Sequence, residues 1–501
     1  MVHLKQQLMR NIWSSWAGYA VRIVISFLFV PYITSVLGDA RYGVWVIVFQ
    51  TINYFNLLDL GLEKALVRFL SKHLAKADFL RINRTLNTTF GLYLIIGSII
   101  IAGAWLTATF LFDYFKIGDP AMAAEGKSVL IIIGLFSGFR FYLLPFTASL
   151  VGFQRSDISN GLHMIEEIVR AGVLIWLLLE GRGMVSLALA ILLISVGRQL
   201  IAIIVAKRLF PQMSLGLSHF DKPTARELYT YSRITFGITV AWLIIFNTDS
   251  ILLGLLSSAA LAGVYAPGAQ LLLHLRNAVN VVATPLSAAV SQFEAEGNWE
   301  AVQRLYLRGL RYTSYLSFFM AVGVILYARP FVALWLAPEF AGAAEVMRIL
   351  AVSSAFFIPQ IIGNAVLFAV DKHGLLLKVL ILEAAAKIVL SLILIKPYGI
   401  VGMAIAAAAP QLLLYVSVYP IMLARALRIS LVTIMLTSLR SGLLAMFVTL
   451  PVIVIARHFL PPTNWPWFFA NLAIVVIPVL VGAYFVLEPP DRARVKAILN
   501  R

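Results

Sequence analysis

The sequence predicts an all-α polytopic membrane protein of about fourteen transmembrane helices, built as two six-helix lobes related by a pseudo-two-fold axis along the membrane normal, plus two C-terminal helices. Three observations predict it. Of 501 residues, 61% are hydrophobic and 13% are charged, against roughly 45 to 50% apolar in a soluble globular protein. Apolar runs of helix-spanning length recur along the whole chain, and Lys and Arg collect in alternate connections between them.

A run of about twenty apolar residues crosses the hydrocarbon core as a helix, because lipid offers no partner to backbone N–H and C=O groups. Such runs fall at 12–37, 43–63, 86–112, 128–151, 161–179, 185–206, 234–256, 262–290, 312–336, 346–370, 375–395, 399–424, 434–456 and 467–487. The first follows Lys5 and Arg10 as a signal peptide would, but Ile12 to Leu37 is too long for an h-region and reads as a retained span. With the N-terminus inside, cytoplasmic connections gather Lys64, Arg68, Lys72, Arg81 and Arg84, then Lys207, Arg208, Lys222 and Arg226, then Arg304, Arg308 and Arg311, and finally Arg492, Arg494 and Lys496. Opposite connections hold little beyond Arg41, Lys116, Arg182, Lys396 and Arg457. By the positive-inside rule both termini are expected in the cytoplasm.

The longest hydrophilic stretch, Lys207 to Arg233, carries Pro211, Gly216 and Pro223 and reads as a linker. It divides the chain into an N-terminal lobe at 1–210, a linker at 211–233, a C-terminal lobe at 234–428 and a final helix pair with tail at 429–501. Matches recur across the linker in the same order. Gly43-Val44-Trp45 answers Gly263-Val264-Tyr265; Pro145 and Pro359 each stand twelve residues before an Asp, at 157 and 371; Glu166 and Arg170 answer Glu383 and Lys387; Gly183-Met184-Val185 answers Gly399-Ile400-Val401. Six spans per copy is an even number, so both copies start inside, the parallel-repeat plan of transporters that expose a substrate between halves alternately to either side. Pro31, Pro145, Pro285, Pro359 and Pro410 lie within spans and are expected to kink them.

The net charge of +17 is accounted for by the inner loops, so no nucleic-acid partner is expected. There is no cysteine, which removes disulfides and thiolate chemistry. His163, His274 and His373 form no metal-spaced cluster, and no Walker sequence or nucleophile elbow appears. No metal or organic cofactor, no ATP use and no enzymatic activity are expected.

The remaining chemistry lies in charges placed inside spans. Arg22, Arg140, Arg198 and Arg276 sit about ten or more residues from the nearest inner loop, and a lipid-facing Arg there costs about 2.5 to 3.5 kcal/mol. They should therefore face a protein interior or a watery cavity. Ser14, Gly18, Arg22 and Ser26 make one small, polar stripe on the first span; Arg276, Asn280, Ala283, Thr284 and Ser287 make another on the eighth. Arg suits bidentate recognition of phosphate, so Arg22, Arg140, Arg198, Arg276 and Asn280 are candidate contacts for an anionic head group; the alternative is that each Arg locks the bundle by pairing with a carboxylate or helix carbonyls. Glu166 with Arg170, and Glu383 with Lys387, are spaced i,i+4 and expected to form ion pairs, structural or coupling. Asp249, near the outer end of the seventh span, and Asp59 with Glu63 read as interfacial residues or gates.

The segments FVPYITSVL (29–37) and GDARYGVW (38–45), Asp59-Leu60-Gly61-Leu62, Arg68, Gly152-Phe153-Gln154-Arg155 and DSILLGLLSSAALAGVY (249–265) resemble the polysaccharide-transporter branch of the multidrug/oligosaccharidyl-lipid/polysaccharide exporter superfamily, the O-antigen flippase (Wzx-like) type. The resemblance implies a flippase in the bacterial inner membrane that carries undecaprenyl-diphosphate-linked oligosaccharides to the periplasmic leaflet for O-antigen or exopolysaccharide assembly. Membrane lipid, a polysaccharide polymerase and chain-length machinery are the implied partners, and a proton or sodium ion is the expected coupling ion. Related lipid II flippases place arginines in their first and eighth spans, which Arg22 and Arg276 match by position. An ion-coupled multidrug-extrusion antiporter is the alternative; such proteins usually stop at twelve spans and use a carboxylate-rich cation site, whereas the first span here offers Arg22.

Overall fold

The computed structural model describes residues 2–489 and 491–493 apart from Ala75, Ala77 and 214–219, and leaves out the side chains of 2–17, 19, 20, 22, 227, 229–235 and 281–288. Among the described residues it contains helices and turns but no strand. The helices are α1 (Val2–Phe55), α2 (Leu62–Leu74), α3 (Phe79–Leu106), α4 (Pro120–Gly152), α5 (Ser156–Leu179), α6 (Met184–Leu209), α7 (Lys222–Asn247), α8 (Asp249–Leu256), α9 (Ala259–Ala295), α10 (Trp299–Trp335), α11 (Ala343–Phe357), α12 (Ile361–Ala369), α13 (His373–Val416), α14 (Val418–Leu427), α15 (Leu431–Phe459) and α16 (Trp465–Val486).

Each apolar run of the sequence is helical. Two runs share α1, which breaks at Gly38, and two share α13, which breaks at Gly399; the φ values there, 70° and 53°, belong to the left-handed region that glycine enters without cost. Among the described residues eight helical segments are long and apolar enough to cross a membrane, and nine when α7 and α8, bent by 52° at Thr248, count as one. Helix starts follow capping chemistry: Asp78, Asp119, Asp221, Asn298 and Asn464 each accept a backbone N–H of the first turn. At the half-buried Asp221 the Thr224 hydroxyl and N–H hold the carboxyl below its usual range.

The amphipathic α2 occupies the segment that reads in sequence as a basic loop. Leu62, Ala65, Leu66, Phe69 and Leu70 line its buried face at helical spacing while Lys64, Arg68 and Lys72 stay off it. Too charged to span, it lies as a short helix with one apolar stripe, against α4 and α3.

Prolines free carbonyls inside spans, and polar side chains answer some of them. Pro330 cannot bond Leu326, whose carbonyl instead accepts Arg457 at 2.6 Å; Pro359 leaves the Ala355 carbonyl to the Ser317 hydroxyl at 2.9 Å. Pro31, Pro145 and Pro410 lie inside helices, as expected, while Pro359 sits in a 3₁₀ turn between α11 and α12. The side chain of Pro285 lies outside the described residues.

The chain forms two compact units, Met1–Gly263 and Val264–Arg501. They divide later than the hydrophilic linker at 211–233, because α7 and α8 pack with the first unit. The Ser250 N–H donates to Gln50 Oε1 at 3.1 Å, the Lys116 N–H donates to the Gly254 carbonyl at 2.9 Å, and Tyr54 hydrogen-bonds Thr248. Within this unit Gly43 and Gly263 let backbones touch: a Cβ on Gly43 would fall 1.7 Å from the Ala259 carbonyl oxygen, and one on Gly263 2.2 Å from that of Asp39. The first Gly of each repeated Gly-Val-aromatic word is thus a site of close helix approach.

Candidate functional site

Each unit contains a polar centre built around a buried glutamate. In the first unit Glu166 of α5, 8% exposed, pairs with Arg198 Nε of α6 at 2.6 Å. The Ser195 hydroxyl, one turn before Arg198, donates to the same carboxylate, and His163 Nδ1 lies 3.7 Å away, one turn before Glu166. Arg170 pairs with Glu167 instead. The i,i+4 ion pair expected between Glu166 and Arg170 is therefore replaced by a bond across helices. A buried carboxylate is best compensated by an ion and a hydroxyl together, which α6 supplies at i,i+3, while Glu167 holds Arg170 one turn back on α5.

Arg140 of α4 lies close enough to Glu63, Tyr93 and Arg198 to act on them electrostatically. Beside it the Tyr93 hydroxyl donates to Asp59, whose carboxylate also accepts the N–H groups of Gly61 at 3.1 Å and Glu63 at 3.3 Å. Asp59 thereby braces the turn into α2, where Leu60 adopts a left-handed conformation. Asp249, 6% exposed, belongs to a different place, the break between α7 and α8, where Gln50 and Tyr54 of α1 meet it. The side chain of Arg22 lies outside the described residues, as do Ser14, Ala283, Thr284 and Ser287 of the two polar stripes.

In the second unit Glu383 of α13 is 1% exposed and accepts Gln411 Nε2 at 3.3 Å, and Ser353 of α11 donates to the Gln411 carbonyl oxygen at 2.8 Å. Lys387, one turn along and 1% exposed, and Arg276 of α9, 8% exposed, both act on Glu383 electrostatically. The Arg276 guanidinium stands 5.8 Å from the centre of the Phe357 ring, a cation–π approach, and Phe357 packs edge-on to Tyr415 at 4.9 Å. Tyr415 stacks on Tyr419, which hydrogen-bonds Asn364. Asn280, one turn after Arg276, is half-buried. The centre thus brings together Arg276, Glu383 and Lys387, which the sequence singles out, with Gln411, Tyr415 and Phe357, which it does not.

One signal for these neighbours exists in the repeat: the spacing that separates Gly183 from Gly399 also separates Ser195 from Gln411, the two donors to the buried glutamates. Among the described residues no group of three His, Asp or Glu side chains is placed to hold a metal ion. The arrangement offers instead desolvated cations beside aromatic faces, suited to hold an anion, and buried carboxylates suited to take a small cation.

A family model described as polysaccharide biosynthesis protein matches residues 8–294, more than half of the chain. The chain belongs to this family. Its relatives include the uncharacterized membrane protein EpsK of Bacillus subtilis, 22% identical over 410 residues that cover 80% of each chain. The uncharacterized membrane protein MJ1068 of Methanocaldococcus jannaschii is 22% identical over 377 residues, covering 71% of this chain and 73% of that one. Among solved structures, the lipid II flippase MurJ in an inward closed conformation superposes with a TM-score of 0.72 at 14% identity, covering 95% of this chain and 98% of that chain. An inward-facing multidrug resistance MATE family transporter of the MOP superfamily gives 0.66 at 14% identity, covering 82% and 99%. The fold of this polysaccharide biosynthesis protein is therefore that of MOP-superfamily transporters, in agreement with the resemblance carried by its motifs.

Proposed function

We propose that the protein is a flippase that moves polyprenyl-diphosphate-linked oligosaccharides from the cytoplasmic to the periplasmic leaflet of the bacterial inner membrane by alternating access, for O-antigen or exopolysaccharide assembly. The observation that carries the reading is Arg276, a guanidinium with 8% exposure near the middle of α9, set against an aromatic ring and acting with Lys387 on the carboxylate of Glu383. Two cations about one carboxylate in a water-poor interior favour a diphosphate over a cationic drug. Arg22, Arg140, Arg198 and Asn280 are further contacts in this reading. A proton or sodium ion would drive the cycle, taken up at Glu166, Glu383 or Asp249. Both termini face the cytoplasm, and a polymerase with its chain-length machinery consumes the product.

The test is the distribution of lipid-linked oligosaccharide between the two faces of the inner membrane with the gene deleted and restored. Accumulation on the cytoplasmic face, relieved by the wild-type chain, is expected. An unchanged lipid-linked pool with heightened sensitivity to cationic drugs would replace the flippase by the antiporter.

A further inference from the structure

In the second unit α10, α15, the end of α16 and the segment after it line an open cavity of about 510 Å³ that no part of the transport reading uses. Its polar lining joins Arg311 of α10, Thr437, Arg440 and Ser441 of α15, and Glu488 and Arg492 from the segment following α16. Three guanidiniums and one carboxylate thus line it, and their commitments differ. Arg311 pairs with Glu488 at 3.2 Å, a carboxylate that also lies 3.7 Å from Arg308. Arg492 caps the end of α16, donating to the carbonyls of Phe485 at 2.6 Å and Leu487 at 2.9 Å. Arg440 makes no hydrogen bond or ion pair with any of the described residues.

Arg440 is exposed and stands in α15, a helix apolar enough to cross a membrane, where a charge without a counter-ion is costly. Side chains on a helix lean toward its N-terminus, so Arg440 leans toward the end of α15 where Arg311 and Arg492 line the cavity. On the topology proposed above that end is cytoplasmic. The apolar wall continues outward as Leu436, 43% exposed, Leu444, 37%, and Phe485, 63%. A cationic, hydroxyl-lined recess that runs into an exposed apolar strip has the polarity profile of one lipid molecule, head group inward and chains along the protein surface.

We propose that this cavity binds the phosphate group of an anionic membrane lipid, with Arg440 as its main donor, Thr437 and Ser441 beside it, and the acyl or prenyl chain along Leu436, Leu444 and Phe485. Bound there, the lipid bridges the two helices outside the six-helix repeat to α10. The site is separate from the polar centre around Glu383, and its occupancy does not depend on whether oligosaccharides are the transported substrate.

The full chain, purified in detergent, is titrated with phosphatidylglycerol, phosphatidylcholine and a polyprenyl monophosphate, and bound lipid is counted by native mass spectrometry. Wild type is expected to retain a phosphate-bearing anionic lipid about tenfold more tightly than the zwitterion; Arg440→Gln removes that preference, and Arg440→Lys keeps part of it because the charge remains without the planar fork. Thr437→Trp, which fills the cavity and leaves every charge in place, should also abolish retention, and carries the test if Arg440→Gln does not fold. An Arg440-dependent preference for phosphatidylglycerol identifies bulk anionic lipid as the occupant, and one confined to polyprenyl phosphate identifies the carrier lipid; both support the phosphate site. Equal retention of all three lipids, or retention unchanged in both Arg440→Gln and Thr437→Trp, overturns it.

Discussion

The two polar centres occupy corresponding places in the repeat and solve the same problem differently. In the first unit the carboxylate of Glu166 meets Arg198 directly at 2.6 Å, with a serine hydroxyl completing the set. In the second unit the equivalent Glu383 accepts its 3.3 Å hydrogen bond from the neutral Gln411, while its cations, Lys387 and Arg276, come from its own helix and from α9. Both copies keep the acid on one span and its polar donor on the next, the two spans of the second copy being joined in α13 across Gly399, and the cation has moved. A direct pair neutralises itself and locks two helices. A carboxylate held by an amide between two cations leaves positive charge to share, which is what an anionic substrate or a coupling proton can exploit. The first centre is therefore the firmer lock of the two, and the second the one with more charge to offer a substrate.

Breaking the second centre should have the larger effects. Arg276→Ala is expected to lower oligosaccharide transport on the order of thirtyfold or more at equal expression, since truncating one member of a buried charge set costs about 2–5 kcal/mol and 1.4 kcal/mol is a factor of ten. Arg276→Lys should restore part of it, and wild-type transport by the Ala variant would remove Arg276 from the site. Next in size, Glu383→Gln strands two cations in the interior and should destabilise the protein by about 3 kcal/mol in unfolding experiments in detergent. Adding Lys387→Gln removes one of those cations, so the double variant should recover stability relative to the single one.

Whether a residue's role is legible in the sequence depends on the physics that fixes it. Lipid demands long apolar helices, so the spans are legible, down to two pairs that share one helix across Gly38 and Gly399. The amphipathic α2 is not, because its charges disguise a single buried stripe inside a basic segment. In the sites, charges within spans are conspicuous and Arg198, Arg276, Glu166, Glu383 and Lys387 do cluster about the two buried acids. Their partners are set by helix packing, which leaves no linear trace: the spacing on α5 pointed Glu166 at Arg170, and α6 supplied Arg198 and Ser195 instead. Depth alone also passes over Arg440, whose environment emerges only when α10, α15 and α16 meet.

At the first centre the expected energies are smaller. A double-mutant cycle of Glu166→Gln with Arg198→Gln should give a coupling of about 1–3 kcal/mol, the range for contacting charges in one network. The cycle of Glu166→Gln with Arg170→Gln should give clearly less, because Arg170 is committed to Glu167. The Glu167–Arg170 pair itself, with side chains 19% and 30% exposed, should contribute about 0.3–0.5 kcal/mol, as ion pairs one turn apart on a helix do. If Glu166 coupled as strongly to Arg170 as to Arg198, both centres would be helix-internal pairs of the kind the i,i+4 spacing predicts. The contrast between a cross-helix lock in one unit and shared charge in the other would then be lost, and with it the reason to look for substrate at Arg276 first.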